Sequence, residues 1–195
     1  AFVGGEAVAA DRGVLDALAA PGPVWVVDPV DGTRAFVEGS DSFAIIVALV
    51  IDGETAMGWI HEPVTGRTRW AAAGEGCWAD GGRRLTVAAP RAVGNMHARA
   101  SARTARRLEG RVKEVVNFGS AAHAYLALVE GEIEAAVFRN LNPWDHAAGV
   151  LMHREAGGYA AMLPEGHAYR PVSDPGTVIL APDRPGWEGL ARLVE

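Results

Sequence analysis

The first half of the chain has a pattern of apolar and polar positions that predicts β-strands. The run "VWVVD" (24–28) predicts a short buried strand, and "SFAIIVALVIDGETAMGWIHEP" (42–63) predicts two strands joined at Asp52-Gly53. Asp-Gly between β-branched runs is a strong hairpin signal. The segment "TGRTRWAAAGEGCWADGGRRL" (65–85) predicts two further strands with glycine turns. Because these strands follow one another closely, we expect an antiparallel sheet.

After about Pro90 the pattern changes to strands that alternate with helices. The predicted helices are "ASARTARRLEG" (100–110), "SAAHAYLALVEG" (120–131), "PWDHAAGVLMHREAGG" (143–158) and "PGWEGLARLVE" (185–195). The predicted strands are "VKEVVNF" (112–118), "IEAAVF" (133–138) and "TVILA" (177–181). This alternation is typical of a layered α/β arrangement. We therefore expect two tightly packed subdomains, an antiparallel-sheet subdomain over residues 1–90 and an α/β subdomain over residues 91–195.

The composition describes an ordinary globular protein. The chain has 195 residues, of which 49% are hydrophobic and 22% charged, and its formal net charge is −6. A nucleic-acid partner bound through its phosphates needs a basic face, so the charge argues against one. The arginine cluster at 99–111 is interleaved with alanines and is typical of a solvated helix face. Small phosphorylated metabolites fit this composition better than polymers.

The sequence also bears on the compartment. A single cysteine, Cys77, excludes an intrachain disulfide and a cysteine-built metal site. The chain has no run of 18 apolar residues, and its start, "AFVGGEAVAADRG", does not have the pattern of a signal peptide. We expect a cytoplasmic protein without a membrane partner. Because the sequence begins without methionine, inside an apparent strand, we also expect the natural N-terminus to lie upstream.

Two aspartates follow the strand "VWVVD" closely. Pro29 fixes its own φ and biases Asp28 to an extended conformation, so this turn can direct Asp28, Asp31 and the carbonyl of Val30 at one point. An all-oxygen set suits Mg²⁺, with Mn²⁺ as the alternative. Two carboxylates held close together repel unless a cation lies between them. The alternative interpretation is an ordinary turn at the end of a strand, because Asp followed by Asp-Gly is also common in such turns.

Gly32 and Thr33 come next, where a helix or turn would begin. Backbone amides at such a point bind anions, and glycine allows a phosphate to approach closely. The Thr33 hydroxyl could orient a water molecule. A cation site beside an anion site is what metal-assisted hydrolysis of a phosphate ester requires.

A third aspartate, Asp145, stands in the first turn of the predicted helix 143–158. The small residues Ala147, Ala148 and Gly149 would allow this helix to pack closely. Taken alone, Asp145 is also typical of the charge that stabilises a helix N-terminus.

The pair of motifs "WVVDPVDGTRAF" (25–36) and "PWDHAAGVLMHREAGG" resembles the inositol monophosphatase family of Mg²⁺-dependent, lithium-sensitive phosphatases, as does "GSAAHAYLALVEGEIEAAVF" (119–138) between them. The resemblance implies the αβαβα sugar-phosphatase fold and a homodimer. The metal ligands that it implies are Asp28, the carbonyl of Val30, Asp31 and Asp145. It further implies that Thr33 positions the attacking water, that the amides of Gly32 and Thr33 hold the phosphate, and that Ala121 borders the alcohol.

The chain departs from the family pattern at its start. The family carries a Gly-Glu-Glu motif whose first glutamate binds metal and helps to activate water, whereas "VGGEAVAAD" (3–11) has Gly5 at that place. Either Glu6 takes over the metal and catalytic role, or the metal site is weakened. The pair of helices that precedes this motif in the family is also missing from the sequence, and we expect it in the gene product.

A second departure concerns the substrate. Members that hydrolyse inositol phosphate have a glutamate seven residues before the motif aspartate, where this chain has Phe138. A phenyl ring cannot accept hydrogen bonds from sugar hydroxyls. The next residue, Arg139, would favour a substrate with a second anionic group if it pointed inward, although a solvated arginine at a strand end is equally compatible with the sequence.

The sequence therefore predicts Mg²⁺-dependent hydrolysis of a small phosphomonoester by a metal-activated water. The alternative from another class is a catalytically impaired homologue that binds metal or a phosphorylated ligand, which Gly5 favours. A further alternative keeps the chemistry and changes the substrate to histidinol phosphate, a nucleotide 3′-phosphate or a sugar bisphosphate.

Overall fold

The computed structural model describes residues 1–172 and 174–195. It contains two β-sheets with helices between them and beyond the second sheet. Within the described residues, no helix combines the length and the apolar character needed to cross a membrane.

The first sheet contains seven strands whose spatial order follows the chain. These are β1 (Phe2–Gly4), β2 (Pro23–Asp31), β3 (Ala44–Ile51), β4 (Glu54–Glu62), β5 (Arg67–Ala72), β6 (Gly76–Ala79) and β7 (Arg83–Leu85). From β2 to β7 every pair is antiparallel, as predicted, whereas β1 joins β2 in parallel. The apolar run of β3 buries every second side chain on one face, which follows from the two-residue period of a strand.

The second sheet is mixed and has the order β11-β12-β10-β8-β9. Its strands are β8 (His97–Ala100), β9 (Glu114–Val116), β10 (Ala135–Leu141), β11 (Tyr159–Met162) and β12 (Asp174–Ala181). Strand β8 is parallel to both of its neighbours, β9 and β10, and β12 is antiparallel to β10 and β11. The carboxyl ends of β8, β9 and β10 therefore lie at one edge of the sheet.

The α-helices are α1 (Gly5–Ala10), α2 (Thr33–Val37), α3 (Ala102–Leu108), α4 (Ala121–Val129), α5 (Pro143–Glu155) and α6 (Arg184–Val194), and a 3₁₀ helix spans Arg12–Ala19. Helices α4 and α5 share one core with the first sheet and with Ala136 and Phe138 of β10. The neighbouring residues of β10, Ala135 and Val137, face the opposite side and pack with α3 and α6. The layers are thus sheet, helices, sheet, helices.

Most of the predicted elements are present, and the differences are local. The segment 65–85 forms three strands rather than the two predicted, because the turn at Asp80–Gly82 separates β6 from the short β7. Strands β8 and β11 were not predicted. Their sequences, "HARA" and "YAAM", are rich in alanine, which has low β-propensity, and they are strands because neighbouring strands pair with them. The predicted boundary near residue 90 falls between the two sheets.

Candidate metal and phosphate site

An irregularity in β2 places Asp28 and Asp31 on the same side of the first sheet. Residues three apart in a regular strand point to opposite faces. Here Asp28 pairs with Ile46 and Asp31 pairs with Ala44, so β2 has one more residue than β3 between these pairs. This β-bulge contains Pro29, a residue that strands tolerate at bulges. Both carboxylates consequently face the helix layer.

The third carboxylate comes from the start of α5, as the sequence predicted. Helix α5 lies close to the first sheet because Gly58 of β4 has no side chain, and a Cβ there would lie 2.7 Å from the Cα of Ala148. Asp145 is thereby brought to the end of β2. Ligand oxygens of Asp28, Asp31 and Asp145 lie within 4.8 Å of one another.

Backbone amides hold the two aspartates of the first motif. The N–H of Val30 donates to Oδ1 of Asp28 at 3.0 Å. The N–H of Ala122, in the first turn of α4, donates to Oδ2 of Asp31 at 2.6 Å. Asp31 is 8% exposed, so this hydrogen bond fixes its carboxylate in an almost dry position.

Asp145 is oriented by a side chain that sequence reasoning missed. The Nδ2 of Asn142 donates to Oδ2 of Asp145 at 3.0 Å. Asn142 is the residue before α5, and its position three residues before the aspartate was the available signal. Ala122 contributes only a backbone amide, so its residue type carries no signal for that role.

The electrostatics of the three carboxylates fit a divalent cation. Burial, with smaller increases from the charges of Asp31 and Asp28, raises the pKa of Asp145 to about 7 against the opposing hydrogen bond from Asn142. Burial also raises the pKa of Asp28, with smaller increases from the charges of Asp31 and Glu6. Carboxylates that resist ionisation next to one another are relieved by a cation, and an all-oxygen set suits Mg²⁺.

The predicted phosphate-binding residues stand at the junction between β2 and α2. Gly32 has a φ of 89°, and a Cβ there would lie 2.8 Å from the carbonyl oxygen of Ser42, so the turn requires glycine. The hydroxyl of Thr33 donates to the carbonyl oxygen of Val30 at 3.0 Å. The predicted water-positioning hydroxyl and the predicted carbonyl ligand are therefore neighbours.

The two residues of the altered glutamate motif lie at the start of α1. Glu6 is exposed and lies outside the cluster formed by Asp28, Asp31 and Asp145, although its charge acts on Asp28. Gly5 faces the indole of Trp144, and a Cβ at Gly5 would lie 3.3 Å from the indole nitrogen. The metal and catalytic role of Glu6 stays a prediction.

A cavity of about 560 Å³ opens beside the carboxylates. Asp31 and Asp145 line it together with the three residues that the sequence predicted for the alcohol side of the substrate, Ala121, Phe138 and Arg139. Phe138 is 2% exposed and stacks on Tyr125 with ring centroids 4.9 Å apart. Most of its ring is therefore packed in the core and is not exposed to the cavity.

Sequence reasoning missed two further arginines at this cavity and a serine in its lining. Arg99 and Arg103 line it. The sequence pattern assigned them to a solvated helix face, but Arg99 is in β8 and is half-buried. Ser120, also in the lining, caps α4 by accepting from the N–H of His123, and its Oγ lies 2.8 Å from Nδ1 of the same histidine.

Comparison with known proteins agrees with this geometry. The chain matches the Inositol monophosphatase family over residues 1–194. A curated fructose-1,6-bisphosphatase/inositol-1-monophosphatase of Thermotoga maritima is 34% identical over 140 residues, which cover 69% of this chain and 55% of the relative. A histidinol-phosphatase of Mycobacterium tuberculosis is 34% identical over 159 residues, which cover 73% of this chain and 60% of the relative.

A solved structure has the same fold. Inositol monophosphatase II from Staphylococcus aureus matches with a TM-score of 0.86 and 25% identity, covering 100% of this chain and 74% of that chain. The predicted family and the predicted layered α/β fold are confirmed. The chain spans 55% and 60% of the length of the two curated relatives.

Proposed function

Because the chain belongs to the inositol monophosphatase family, we propose that it hydrolyses a small phosphomonoester with Mg²⁺ as its cation. The observation that carries the proposal is the convergence of Asp28, Asp31 and Asp145, whose ligand oxygens lie within 4.8 Å of one another. Two of the three line a cavity large enough for a small metabolite.

The three aspartates and the carbonyl of Val30 would hold the cation. A divalent cation bound there would neutralise phosphoryl oxygens and lower the pKa of a coordinated water. The Val30 amide, the Ala122 amide and the Asn142 side chain keep the carboxylates in place before substrate arrives. Preorganised groups of this kind lower the reorganisation needed during reaction.

The residues at the start of α2 would act on the phosphate and on the nucleophile. The amides of Gly32 and Thr33 would bind phosphate oxygens, and the left-handed conformation of Gly32 leaves no Cβ in the way. The Thr33 hydroxyl would orient the attacking water. Its hydrogen bond to the carbonyl of Val30 already fixes the position of that hydroxyl.

Replacement of a predicted ligand tests the proposal. We expect Asp145→Asn to lower Mg²⁺-dependent hydrolysis of a generic phosphomonoester such as p-nitrophenyl phosphate by roughly 100-fold or more, because the site loses one anionic ligand. Mg²⁺ affinity, measured by isothermal titration calorimetry, should fall in parallel. Asp16→Asn, which changes an exposed aspartate of the 3₁₀ helix, is the matched control. Full Mg²⁺-dependent activity in Asp145→Asn would refute the proposal.

A second candidate function is a catalytically impaired homologue that binds metal or a phosphorylated ligand. The observation that favours it is Gly5, which provides no carboxylate where the family has its first glutamate, beside an exposed Glu6. If this candidate is right, wild-type turnover is near zero and Gly5→Glu raises it by about 100-fold, because a ligand charge is restored. Gly5→Ala adds the Cβ near Trp144 without the carboxylate and is the control. Robust wild-type turnover would exclude the impaired homologue.

Of the remaining expectations, lithium inhibition and the homodimer rest on the family resemblance, and the location and the domain division rest on the sequence pattern. We propose inhibition by lithium, a homodimer, a cytoplasmic location and a division into residues 1–90 and 91–195. Lithium inhibition can be measured together with the Mg²⁺ titration, and sedimentation velocity gives the assembly state. Histidinol phosphate, a nucleotide 3′-phosphate and a sugar bisphosphate remain alternatives to inositol phosphate as the substrate.

A further inference from the structure

Three arginines line the end of the candidate cavity that is formed by the second sheet. Arg99 comes from β8, Arg139 from β10, and Arg103 from the first turn of α3, which follows β8. Strands β8 and β10 are parallel, so their carboxyl ends lie at the same edge of the sheet. The crevice at that edge is where α/β sheets commonly bind ligands.

Arg99 is held as a half-buried cation. Its guanidinium lies over the ring of Phe138, with the central carbon 4.3 Å from the ring centroid. Its Nη1 donates to the carbonyl of Val137 at 3.3 Å, while Nε is buried without a hydrogen-bond partner in the part of the chain that the structure describes. A guanidinium has five N–H donors, and a buried donor without a partner costs free energy. The side chain is therefore positioned with donor capacity left over.

Arg139 stands next to a second irregularity and lines the same cavity. The pairing of β10 with β12 shifts after Arg139, and Asn140 has a φ of 58°. The Nε of Arg139 donates to Oγ1 of Thr104 at 3.1 Å, which leaves its two terminal nitrogens for other partners. Arg103 is exposed at the cavity rim.

The charges at this end of the cavity are not balanced within the protein. Among the side chains that the structure describes, no carboxylate lies within 4.0 Å of Arg99, Arg103 or Arg139. The acidic residues in the cavity lining are Asp31 and Asp145, which belong to the candidate metal site. Once a cation offsets those carboxylates, the three guanidiniums leave the cavity positive.

We propose that Arg99, Arg103 and Arg139 bind a second anionic group of the substrate, a phosphate or a carboxylate, at the end of the cavity that is formed by the second sheet. The inference rests on the proposed function, and it replaces a neutral polyol monophosphate by a doubly anionic phosphomonoester as the preferred substrate class. Phe138 contributes by supporting the Arg99 guanidinium rather than by contacting sugar hydroxyls. Guanidinium forks bind phosphate and carboxylate with paired hydrogen bonds.

Matched substrates test this site. We expect wild-type kcat/KM for fructose 1,6-bisphosphate to exceed that for fructose 1-phosphate or fructose 6-phosphate by about tenfold or more, the effect of one or two charge-assisted hydrogen bonds. Comparison of 3-phosphoglycerate with glycerol 3-phosphate tests whether a carboxylate serves as the second anionic group. A preference in the first set alone identifies a phosphate site, and one in the second alone identifies a carboxylate site.

Variants assign the preference to the arginines. Arg139→Gln and Arg103→Gln should each reduce the preference for the doubly anionic member of each pair several-fold. Arg99→Gln should abolish most of the preference. Arg99→Lys, which keeps the charge, should retain part of it, and this variant tests the site if Arg99→Gln is poorly folded. Arg106→Gln is the control, because Arg106 is an exposed arginine of the same helix that lines a different cavity.

The outcomes separate this inference from the proposed function. Hydrolysis of p-nitrophenyl phosphate and of the monophosphates without any preference for a second anion would overturn the inference and leave the proposed function intact. If wild type hydrolyses none of the substrates, the proposed function fails. In that case the compounds are not hydrolysed during the measurement, so calorimetric titration with the same pairs tests the arginine site by itself. Equal affinity for the two members of each pair would overturn the inference.

Discussion

His153 lies in the last turn of α5 and is buried, although its imidazole has two polar nitrogens. It is 0% exposed, and neither ring nitrogen has a hydrogen-bond partner among the described residues. Its ring lies against Gly158, so closely that a Cβ at Gly158 would overlap it. Burial lowers the pKa of His153 to about 3. The imidazole is thus neutral in the folded protein at all but strongly acidic pH.

This shift predicts that His153 contributes a loss of stability as the pH falls. Between about pH 6.5 and pH 3 the unfolded chain binds a proton at His153 that the folded chain does not bind, so the free energy of unfolding decreases as the pH falls. The loss approaches about 1.4 kcal/mol per pH unit at the middle of that range. Urea unfolding of His153→Met from pH 7.5 to 5 should show a weaker pH dependence than wild type.

The matched control is His167→Gln, which changes an exposed histidine. This variant should keep the wild-type pH dependence. An unchanged pH dependence in His153→Met would show that other groups cause the acid destabilisation.

At the scale of elements, the candidate metal site depends on how closely α4 and α5 approach each other. The ring of Tyr125 in α4 occupies the space where a Cβ of Gly149 in α5 would lie. The Tyr125 hydroxyl lies 2.9 Å from Nδ1 of His146, the neighbour of Asp145. A displacement of Tyr125 would therefore be transmitted to the start of α5.

Gly149→Ala should show this dependence. In an exposed helix interior, glycine to alanine stabilises by about 1 kcal/mol. Here the added methyl meets a fixed aromatic ring, and overpacking of a core typically costs about 1–3 kcal/mol, so we expect net destabilisation. We also expect weaker Mg²⁺ binding, because Asp145 shifts. Thermal unfolding and calorimetric Mg²⁺ titration measure the two effects.

Gly94→Ala is the control for this substitution. A Cβ at Gly94 would meet its nearest neighbour, the Arg111 carbonyl oxygen, at 3.9 Å, an ordinary contact distance. Gly94→Ala should leave both measurements close to wild type. A Gly149→Ala variant as stable as wild type would mean that Tyr125 can move aside without cost.

At the scale of the whole molecule, a buried ion cluster joins the first sheet to the helix layer. Arg69 of β5 is 4% exposed and binds Glu62 of β4 and Glu130, which follows α4; its Nη2 lies 2.5 Å from Oε1 of Glu130. Residues 62 and 130 are far apart in sequence, so this cluster forms only when the layers pack. Removing one member leaves the others buried without compensation.

Arg69→Met should therefore lower the free energy of unfolding by roughly 3 kcal/mol or more, measured by urea denaturation at neutral pH. The triple variant Arg69→Met, Glu62→Gln, Glu130→Gln should recover much of that loss, because no unpaired charge stays buried. Arg67→Met, which changes an exposed arginine 3.9 Å from Glu62, should have a small effect. Equal stability of wild type and Arg69→Met would show that water reaches both glutamates.

The sequence by itself determined the local part of this protein. Apolar periodicity, Asp-Gly and glycine turns predicted most strands and helices, because these signals act between residues close along the chain. The two acidic motifs predicted Asp28, Asp31 and Asp145 as metal ligands, and their resemblance indicated the family and the layered fold. The short alanine-rich strands β8 and β11 were out of reach, because their conformation depends on the strands beside them.

Only the tertiary structure decided which side chains meet. The bulge in β2 turns Asp28 and Asp31 to the same face, since register, and not residue type, sets the face of a strand. Close packing at Gly58 brings Asp145 to them, and the parallel pairing of β8 with β10 brings Arg99 and its neighbours to one edge. Each of these placements depends on contacts between segments far apart in sequence, which local propensity does not encode.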